Sequence, residues 1–373
     1  MRVVMPVYSL GGCFVNVTAT LWPITVSTMK KILLLTLRIV VALLGIGYII
    51  YAMNWQDTVD SEGVVHPGVI STIKTADAKL LLLAFLMVGL IYPIFCTRWW
   101  MLMRVRGMHC TWGKAFRLAM VGCFFNYCMP GSTGGDVVKA YYAAKGSDRK
   151  TDAVISVVVD RIMGLLGLFI VAGVTGLTLL DEPRVRYITG MIWLFGVCGV
   201  IGASIYFSGR LRKKLHLDAL IAKLPGGRIL AQIDQAAVAY RGHVGALFGG
   251  LAMSTLLHLI LTTATVISGV ALGITQPLRM MFTVIPILFL GMAVPITPQG
   301  IGVVEAIGGQ LLVEPTLCSF NQLVGMLMLA RVFQLAYSLM GALFLLKGDI
   351  HIHQAAESVE KMEQEIGQPA DTQ

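Results

Sequence analysis

The chain has 373 residues, of which 56% are hydrophobic and only 13% are charged, and its mean hydropathy is +0.77. Several apolar runs approach the roughly 20 residues that cross a bilayer, which excludes a soluble globule and indicates a polytopic integral membrane protein. The formal net charge is +9, but the basic residues lie in short loops beside apolar runs, so they report membrane orientation rather than nucleic-acid binding.

The N-terminal region contains a candidate native start. Met29 is followed by two lysines and by an apolar run from Ile32 to Met53, which is longer than the roughly 7–15 apolar residues of a cleaved signal peptide. The pattern predicts translation from Met29, with residues 1–28 as an extension that need not be native. The two lysines predict a cytoplasmic N-terminus.

Hydropathy predicts eight apolar segments, all of them helical. The six full spans are expected at about 32–53, 78–97, 152–180, 187–208, 244–272 and 322–346. Two further segments, 115–139 and 279–313, are apolar but interrupted by proline and glycine. The predicted fold class is therefore an all-α polytopic membrane protein.

The two interrupted segments are broken in the same way. Each contains the pattern Pro-x-Ser/Thr-x-x-Gly, which begins at Pro130 in the first and at Pro295 in the second. Hydrocarbon tolerates the irregular backbone of such a break only where protein or water satisfies its polar groups. A matched pair of broken segments is typical of a transporter's substrate site, although two ordinary proline kinks would give the same pattern.

Basic residues in the short loops predict that both interrupted segments are re-entrant. They precede and follow segment 115–139, so both of its ends are expected in the cytoplasm. The spans that follow place the start of segment 279–313 outside, although Arg279 on that side is contrary to the charge rule. Each half then has two spans, a re-entrant hairpin and a closing span, in opposite orientations. This order is an inverted-topology repeat.

The repeat also predicts the domain organisation. Residues 29–180 form the first membrane repeat and residues 181–346 the second, followed by a polar tail at 347–373. The second repeat includes a basic cytoplasmic linker at 209–243, which is expected either as surface helices on an anionic leaflet or as a solvated loop.

Three charged residues stand out inside apolar runs: Asp160, Arg161 and Arg331. A charge at a helix centre costs about 2.5–3.5 kcal/mol to insert, so each needs a partner or a hydrated cavity. Because successive helical residues point about 100° apart, Asp160 and Arg161 are expected to have different partners. Asp160 is expected close to the cytoplasmic end of its span. Substrate binding and a structural salt bridge are both open for all three.

Each break precedes residues that would begin a half-helix. The N–H groups and the positive dipole end of such a half-helix make a site suited to a phosphate. Lys139 would add a mobile positive charge, and Glu305 could pair with Arg161 or Arg331. Alternatively, the glycines serve helix packing only. The candidate substrate-binding residues are Asn126, Pro130, Ser132, Gly134, Gly135, Asp136, Lys139, Asp160, Arg161, Thr297, Gly300, Gly302, Glu305 and Arg331.

No signature of an enzyme is found in the sequence. It contains no Walker loop, no GxSxG and no HExxH motif, and its seven cysteines include no CxxC pair. Neither a metal nor a cofactor is therefore expected.

Three motifs, in order, resemble the membrane domain of lysylphosphatidylglycerol synthases, a family also described as flippase-like. The first runs from Asn126 through Pro130 and Asp136 to Lys139, the second is Asp160-Arg161-x-x-Gly164, and the third runs from Pro295 to Glu305. The resemblance covers roughly residues 30–346. It implies that the following residues occupy family motif positions: Pro130, Gly134, Gly135, Asp136, Arg161, Gly300 and Glu305.

The resemblance implies a role in lipid transport. In two-part members, the membrane half is held to flip aminoacylated phosphatidylglycerol, which a cytosolic domain makes from aminoacyl-tRNA. Only a short tail follows the last predicted span here, so lysyl transfer is not expected of this chain. Relatives joined to polyprenyl-phosphate sugar transferases keep a second class of lipid open.

The expected function is therefore that of a lipid translocase in the plasma (inner) membrane. It would move an anionic phospholipid or a polyprenyl-phosphate lipid and would have no nucleic-acid partner. Arg161, Arg331 and Lys139 would hold the phosphate, with acidic residues as counter-charges or proton carriers: Asp136, Asp160 and Glu305. One alternative is a membrane subunit of a lipid-headgroup transferase, in an aminoacyl-phosphatidylglycerol or polyprenyl-phosphate glycan pathway, that needs a separate cytosolic or membrane partner. Another is a non-transporting scaffold.

Overall fold

The computed structural model describes residues 51, 54–59, 65–66, 68–128, 134–145, 150–208, 214, 240–293 and 297–346. All of these residues belong to one compact unit, Arg38–Gln373. They form ten α-helices and one small β-hairpin. The α-helices are α1 (Val69–Thr75), α2 (Ala78–Val105), α3 (Trp112–Cys128), α4 (Gly134–Ala144), α5 (Lys150–Gly176), α6 (Pro183–Phe207), α7 (Val244–Ala271), α8 (Leu278–Ala293), α9 (Val303–Leu312) and α10 (Phe320–Leu346). The hairpin pairs β1 (Thr58–Val59) with β2 (Val65–His66), and 3-10 turns cover Leu177–Leu179, Tyr240–His243 and Pro298–Gly300.

The predicted class of all-α polytopic membrane protein is confirmed. Five of the described helices, α2, α5, α6, α7 and α10, are long and apolar enough to cross a membrane. Each corresponds to one predicted full span. The sixth predicted span, 32–53, lies outside the described residues except for Tyr51.

Helix α2 is longer than the sequence predicted. The predicted span, 78–97, ends just before Arg98, whereas the helix continues to Val105. The reason is that apolar residues continue beyond the arginine, and Trp99, Leu102 and Met103 are all buried. Arg98 therefore lies within the helix and not in the loop that follows it.

Each interrupted segment is a pair of helices separated by a break, as predicted. The first pair is α3 and α4, which we call the first hairpin, and the second pair is α8 and α9, the second hairpin. The centres of the breaks, residues 129–133 and 294–296, lie outside the described residues, and they include Pro130 and Ser132. The extension 1–28, most of the linker 209–243 and the tail 347–373 also lie outside them.

The first hairpin begins and ends at the same end of the helix bundle. Residues from the start of α3, the end of α4 and the start of α5 share one hydrophobic cluster, which includes Ala115, Ala144 and Ala153. An ion pair between Arg106, after α2, and Asp152, in the first turn of α5, lies at this end too. Both termini of the hairpin therefore lie beside the end of α2.

The second hairpin begins and ends at the opposite end of the bundle. Gln276, just before α8, donates through its side chain to the carbonyl of Leu312, the last residue of α9, at 3.0 Å. The start of α2 meets this same region, because the Asp77 N–H donates to the Ala271 carbonyl at 3.0 Å. The two hairpins thus point in opposite directions, as the predicted inverted repeat requires.

Helix packing follows the same two-fold pattern. In it α2 corresponds to α7, α3 to α8, α4 to α9 and α5 to α10. Helix α3 packs against α10 and, correspondingly, α8 packs against α5, so each hairpin contacts the closing helix of the other half. Helix α4 contacts α5 as α9 contacts α10, and α2 packs against α7. The main hydrophobic cluster lies mostly among α2, α7, α8, α9 and α10.

The loop before α1 is hydrogen-bonded to the start of α10. Asn54 and Asn321 exchange two hydrogen bonds of 3.1 Å, one in each direction. Within the loop, the Gly68 N–H donates to the Asp57 carboxylate at 2.8 Å. Hydrogen bonds from the Ser71 side chain and from Gly68 hold the pKa of the Asp57 carboxyl below its ordinary value. This loop anchors the closing helix of the second half.

Candidate functional site

The first hairpin presents a carboxylate to an arginine of the closing helix. Asp136 is the third residue of α4, where the positive end of the helix dipole favours a negative charge. Its Oδ2 accepts a hydrogen bond from Nε of Arg161, the twelfth residue of the 27-residue helix α5. The Arg161 side chain is 45% exposed and that of Asp136 is 16% exposed. An accessible ion pair therefore lies near the middle of a helix of membrane-spanning length.

The start of α4 is packed tightly against α3. The Gly135 N–H donates to the side-chain oxygen of Asn126 at 2.9 Å, which links the two helices across the break. A Cβ added to Gly135 would lie 1.8 Å from the carbonyl oxygen of Gly122. Gly135 therefore serves close helix packing, which was the alternative role that the sequence allowed for the glycines. Its hydrogen bond to Asn126 also helps to position Asp136, the next residue.

The second hairpin repeats the pairing of carboxylate and arginine. Glu305 is the third residue of α9, and Arg331 is the twelfth residue of the 27-residue helix α10. Arg331 Nη1 donates to Glu305 Oε1 at 2.5 Å, and the Gly302 N–H donates to Glu305 Oε2 at 2.7 Å. Of the two partners that the sequence allowed for Glu305, the structure selects Arg331.

Left-handed backbone surrounds this second pair. The φ angles of Gln299, Gly300 and Gly302 are +53°, +69° and +87°. Glycine adopts this region at little cost, whereas Gln299 is strained there. Arg331 Nη2 donates to the Gln299 carbonyl at 3.3 Å, so the arginine also contacts the break itself. Thr297 donates to the Ile301 carbonyl at 3.0 Å and does not cap α9, because Glu305 takes that role.

A buried cluster of three charges lies beside the first hairpin. Asp160 accepts from Arg98 Nε at 2.8 Å and from Lys139 Nζ at 3.1 Å. Arg98 also donates to the hydroxyl of Ser254, on α7, at 2.6 Å. The three charged residues are each no more than 4% exposed. Two cations share one carboxylate, so the cluster carries a formal charge of +1.

The cluster corrects two of the sequence-based expectations. Lys139 is not a mobile cation, because its Nζ lies 4.1 Å from the ring centroid of Trp99 and 4.5 Å from that of Phe95, in cation–π contact. Asp160 is not near a helix end, because it is the eleventh residue of α5 and 2% exposed. The expectation that Asp160 and Arg161 have different partners is confirmed.

Arg98 is the member of this cluster that sequence analysis missed. The available signal was the apolar run that continues after it, which places the arginine inside a helix rather than in a loop. Gly164, the last position of the second motif, lies against it, since a Cβ there would be 3.5 Å from Arg98 Nη1. The Gly164 carbonyl also contacts His258 Nε2 at 3.1 Å, so one of the two ring nitrogens of this histidine is satisfied.

The remaining candidates fall into two groups. Gly134 begins α4, as expected of a half-helix start. Pro130 and Ser132 lie outside the described residues, so their prediction is untested. Across the part of the chain that the structure describes, no three His, Cys, Asp or Glu side chains are grouped to hold a metal ion. The charged candidates among the described residues are instead arranged in ion pairs.

Comparison with known proteins places these features in a family. Residues 36–341 match the family model described as the lysylphosphatidylglycerol synthase TM region. The match covers most of the chain and contains both hairpins and both arginine–carboxylate pairs. A search of curated proteins finds no significant match.

Proposed function

The chain belongs to the lysylphosphatidylglycerol synthase TM-region family, a membrane family linked to lipid modification or flipping, and from this premise we propose that it moves a phosphate-bearing lipid headgroup across the bilayer. The membrane would be the plasma (inner) membrane, with the N-terminus in the cytoplasm. The substrate would be an anionic phospholipid or a polyprenyl-phosphate lipid, which present the same phosphate chemistry to the protein.

Arg161 carries the proposal. It lies near the middle of α5 and its side chain is 45% exposed, although a charged group in contact with hydrocarbon would be costly. Exposure at this depth is therefore explained by a hydrated cavity or by a polar headgroup beside the arginine. A guanidinium offers a planar fork of donors that fits a phosphate in two hydrogen bonds.

Asp136 supports a mechanism of partner exchange. In the structure it occupies Arg161 Nε, the position that a phosphate oxygen would take. An arriving headgroup would replace the carboxylate on the guanidinium. The displaced Asp136 would stay in the first turn of α4, where the helix dipole stabilises its charge. The exchange thus substitutes one anion for another and leaves the Arg161 guanidinium paired throughout.

The buried cluster supplies a fixed electrostatic background for that exchange. Lys139 lies one turn after Asp136 on α4, and Asp160 directly precedes Arg161 on α5. The five charged residues at the first hairpin, Arg98, Asp136, Lys139, Asp160 and Arg161, carry three positive and two negative charges. This net positive charge favours an anionic headgroup. In this proposal Lys139 acts without touching the headgroup, in place of the phosphate-holding role predicted for it, and Asp160 keeps its predicted role as a counter-charge.

Lipid movement in proteoliposomes tests the proposal. Purified protein would be reconstituted with a headgroup-matched, fluorescently labelled phosphatidylglycerol, in parallel with a labelled polyprenyl phosphate, and the label lost to an impermeant reductant would be followed. We expect the wild type to move at least one of the two probes. Arg161→Gln should reduce that rate by about ten-fold or more, because the loss of a charge-assisted hydrogen bond costs about 1.5–3 kcal/mol.

A matched variant controls for the loss of any arginine–aspartate pair. Arg279→Gln breaks the exposed pair with Asp181, in which both side chains are more than 60% exposed, and should move lipid at the wild-type rate. Equal rates for Arg161→Gln and the wild type would contradict the headgroup role. Movement of neither probe by the wild type would favour the alternative, a transferase subunit that needs a separate partner.

A further inference from the structure

The corner between α2 and α3 is strongly basic. From residue 78 to residue 135 the chain has six lysines and arginines and no aspartate or glutamate. Two of these cations are exposed, Arg104 in the last turn of α2 and Lys114 at the third position of α3. Asp152 reaches this end from α5, but it pairs with Arg106. Among the described residues, neither Arg104 nor Lys114 has an acidic partner within ion-pair distance.

The loop between the two helices brings these cations close to one point. Trp100 donates through its indole Nε1 to the Cys110 carbonyl at 3.0 Å, which folds the loop back on α2. The guanidinium of Arg104 lies over the Trp100 ring, 4.9 Å from its centroid. Burial raises the pKa of the Cys110 thiol, and the positive charges of Lys114 and Arg104 oppose that rise. Both cations therefore act on the same position of the loop.

Tryptophan marks the depth of this corner in the bilayer. Trp112, the first residue of α3, is 40% exposed, and its indole N–H donates to Thr97 Oγ1 on α2 at 3.0 Å. An exposed tryptophan with a satisfied indole is typical of the boundary between hydrocarbon and headgroups. Arg104 is seven residues beyond Thr97, about 10 Å along α2, and its side chain leans back one turn over Trp100. The guanidinium therefore lies at the level of the lipid phosphates.

The charges and the depth of the corner decide what it would hold. Each basic side chain near a membrane surface strengthens binding to an anionic lipid about five-fold. A zwitterionic headgroup brings its own cation to these two, and a free phosphate has no acyl chain to keep it at this depth. We propose that Arg104 and Lys114 form a lipid seat, which binds one anionic phospholipid of the adjoining leaflet with Trp112 against its glycerol region. The seat is separate from the pair of Arg161 and Asp136, so it does not rest on lipid movement.

Lipid binding to the purified protein tests the lipid seat. Native mass spectrometry would compare dioleoylphosphatidylglycerol with dioleoylphosphatidylcholine, which has the same acyl chains. Arg161→Gln is the parent throughout, so that the headgroup role proposed for Arg161 does not contribute. We expect the parent to bind the first phosphatidylglycerol about five-fold or more tighter than phosphatidylcholine. Arg104→Gln/Lys114→Gln should lower the phosphatidylglycerol affinity about ten-fold or more and leave the phosphatidylcholine affinity unchanged.

Two further variants separate the position of the charges from their number. Lys74→Gln/Lys79→Gln removes two exposed cations at the opposite end of the bundle and should bind phosphatidylglycerol as the parent does. Arg104→Lys/Lys114→Arg keeps both charges and should retain most of the affinity. Thermal unfolding without added lipid checks that each variant is folded. An equal loss of affinity in the two glutamine double variants, or a loss in neither, would overturn the lipid seat.

A photoreactive headgroup locates the bound lipid. Phosphatidylglycerol with a diazirine in its headgroup should cross-link the Arg161→Gln parent within residues 100–114. Excess phosphatidylglycerol should compete, whereas glycerol 3-phosphate at the same concentration should not. Equal competition by glycerol 3-phosphate would indicate a site for a free anion, and it would overturn the lipid seat, as would cross-links confined to other parts of the chain. These measurements need no lipid movement, so failure of the translocase proposal would leave the lipid seat standing.

Discussion

Lys139 on α4 donates to Asp160 on α5 at 3.1 Å, and neither side chain is more than 3% exposed. The same two helices are joined by Asp136 and Arg161, so the first hairpin is held to the closing helix by two ion pairs of opposite polarity. One pair is buried and the other is accessible. We infer that the buried pair fixes α4 in place while the accessible one exchanges partners.

Removing the Asp160 charge should destabilise the protein severely. Asp160→Asn keeps the shape of the side chain but leaves Arg98 and Lys139 buried without a counter-charge, and breaking a buried pair in this way costs about 3–5 kcal/mol. Thermal unfolding in detergent measures the effect. Asp181→Asn is the control, because its exposed pair with Arg279 should contribute about 0–1 kcal/mol. Similar melting temperatures for the two variants would show that the cluster is not structural.

The second pair should behave as a coupled unit. Arg331→Gln leaves the buried Glu305 without its cationic partner, so we expect a loss of about 3–5 kcal/mol, and adding Glu305→Gln should restore part of it. Combining Glu305→Gln with Arg161→Gln should give additive effects, because Arg161 is bonded to Asp136 instead. A double-mutant cycle on melting curves measures both couplings. No rescue of Arg331→Gln by Glu305→Gln would contradict the observed partnership.

Gly135 should not tolerate a methyl group. A Cβ would lie 1.8 Å from the Gly122 carbonyl, so Gly135→Ala must separate α3 from α4, and overpacking of this kind costs about 1–3 kcal/mol. Gly190→Ala, on α6, meets nothing within 4 Å and should be neutral or slightly stabilising. Melting temperatures of the two variants measure the contribution of this close packing to stability. Equal melting temperatures would contradict it.

The orientation in the membrane is predicted from the basic loops and can be tested by labelling. Lys145 follows α4 at the basic end of the bundle, and Glu182 lies at the opposite end, before α6. On a cysteine-free background, Glu182→Cys should react with an impermeant thiol reagent in intact cells. Lys145→Cys should react only after the cells are permeabilised. Labelling of Lys145→Cys from outside would exclude a re-entrant first hairpin with cytoplasmic ends.

Much of the architecture was determined by local sequence. Apolar length alone located the described spans, because crossing a bilayer requires about 20 consecutive apolar residues in a chain with few charges. Proline and glycine located both breaks, since they act on their own backbone. The helical period correctly gave Asp160 and Arg161 different partners. These inferences needed only neighbouring residues.

The partners themselves were decided by tertiary structure. Glu305 could have met either arginine, and its choice of Arg331 depends on how α9 docks on α10. The burial of Lys139 and the place of Arg98 beside Asp160 depend on three helices meeting from distant parts of the chain. Access differs between Arg161 and Arg331 although their local sequence signals are alike, because exposure is set by what the rest of the fold packs against each arginine.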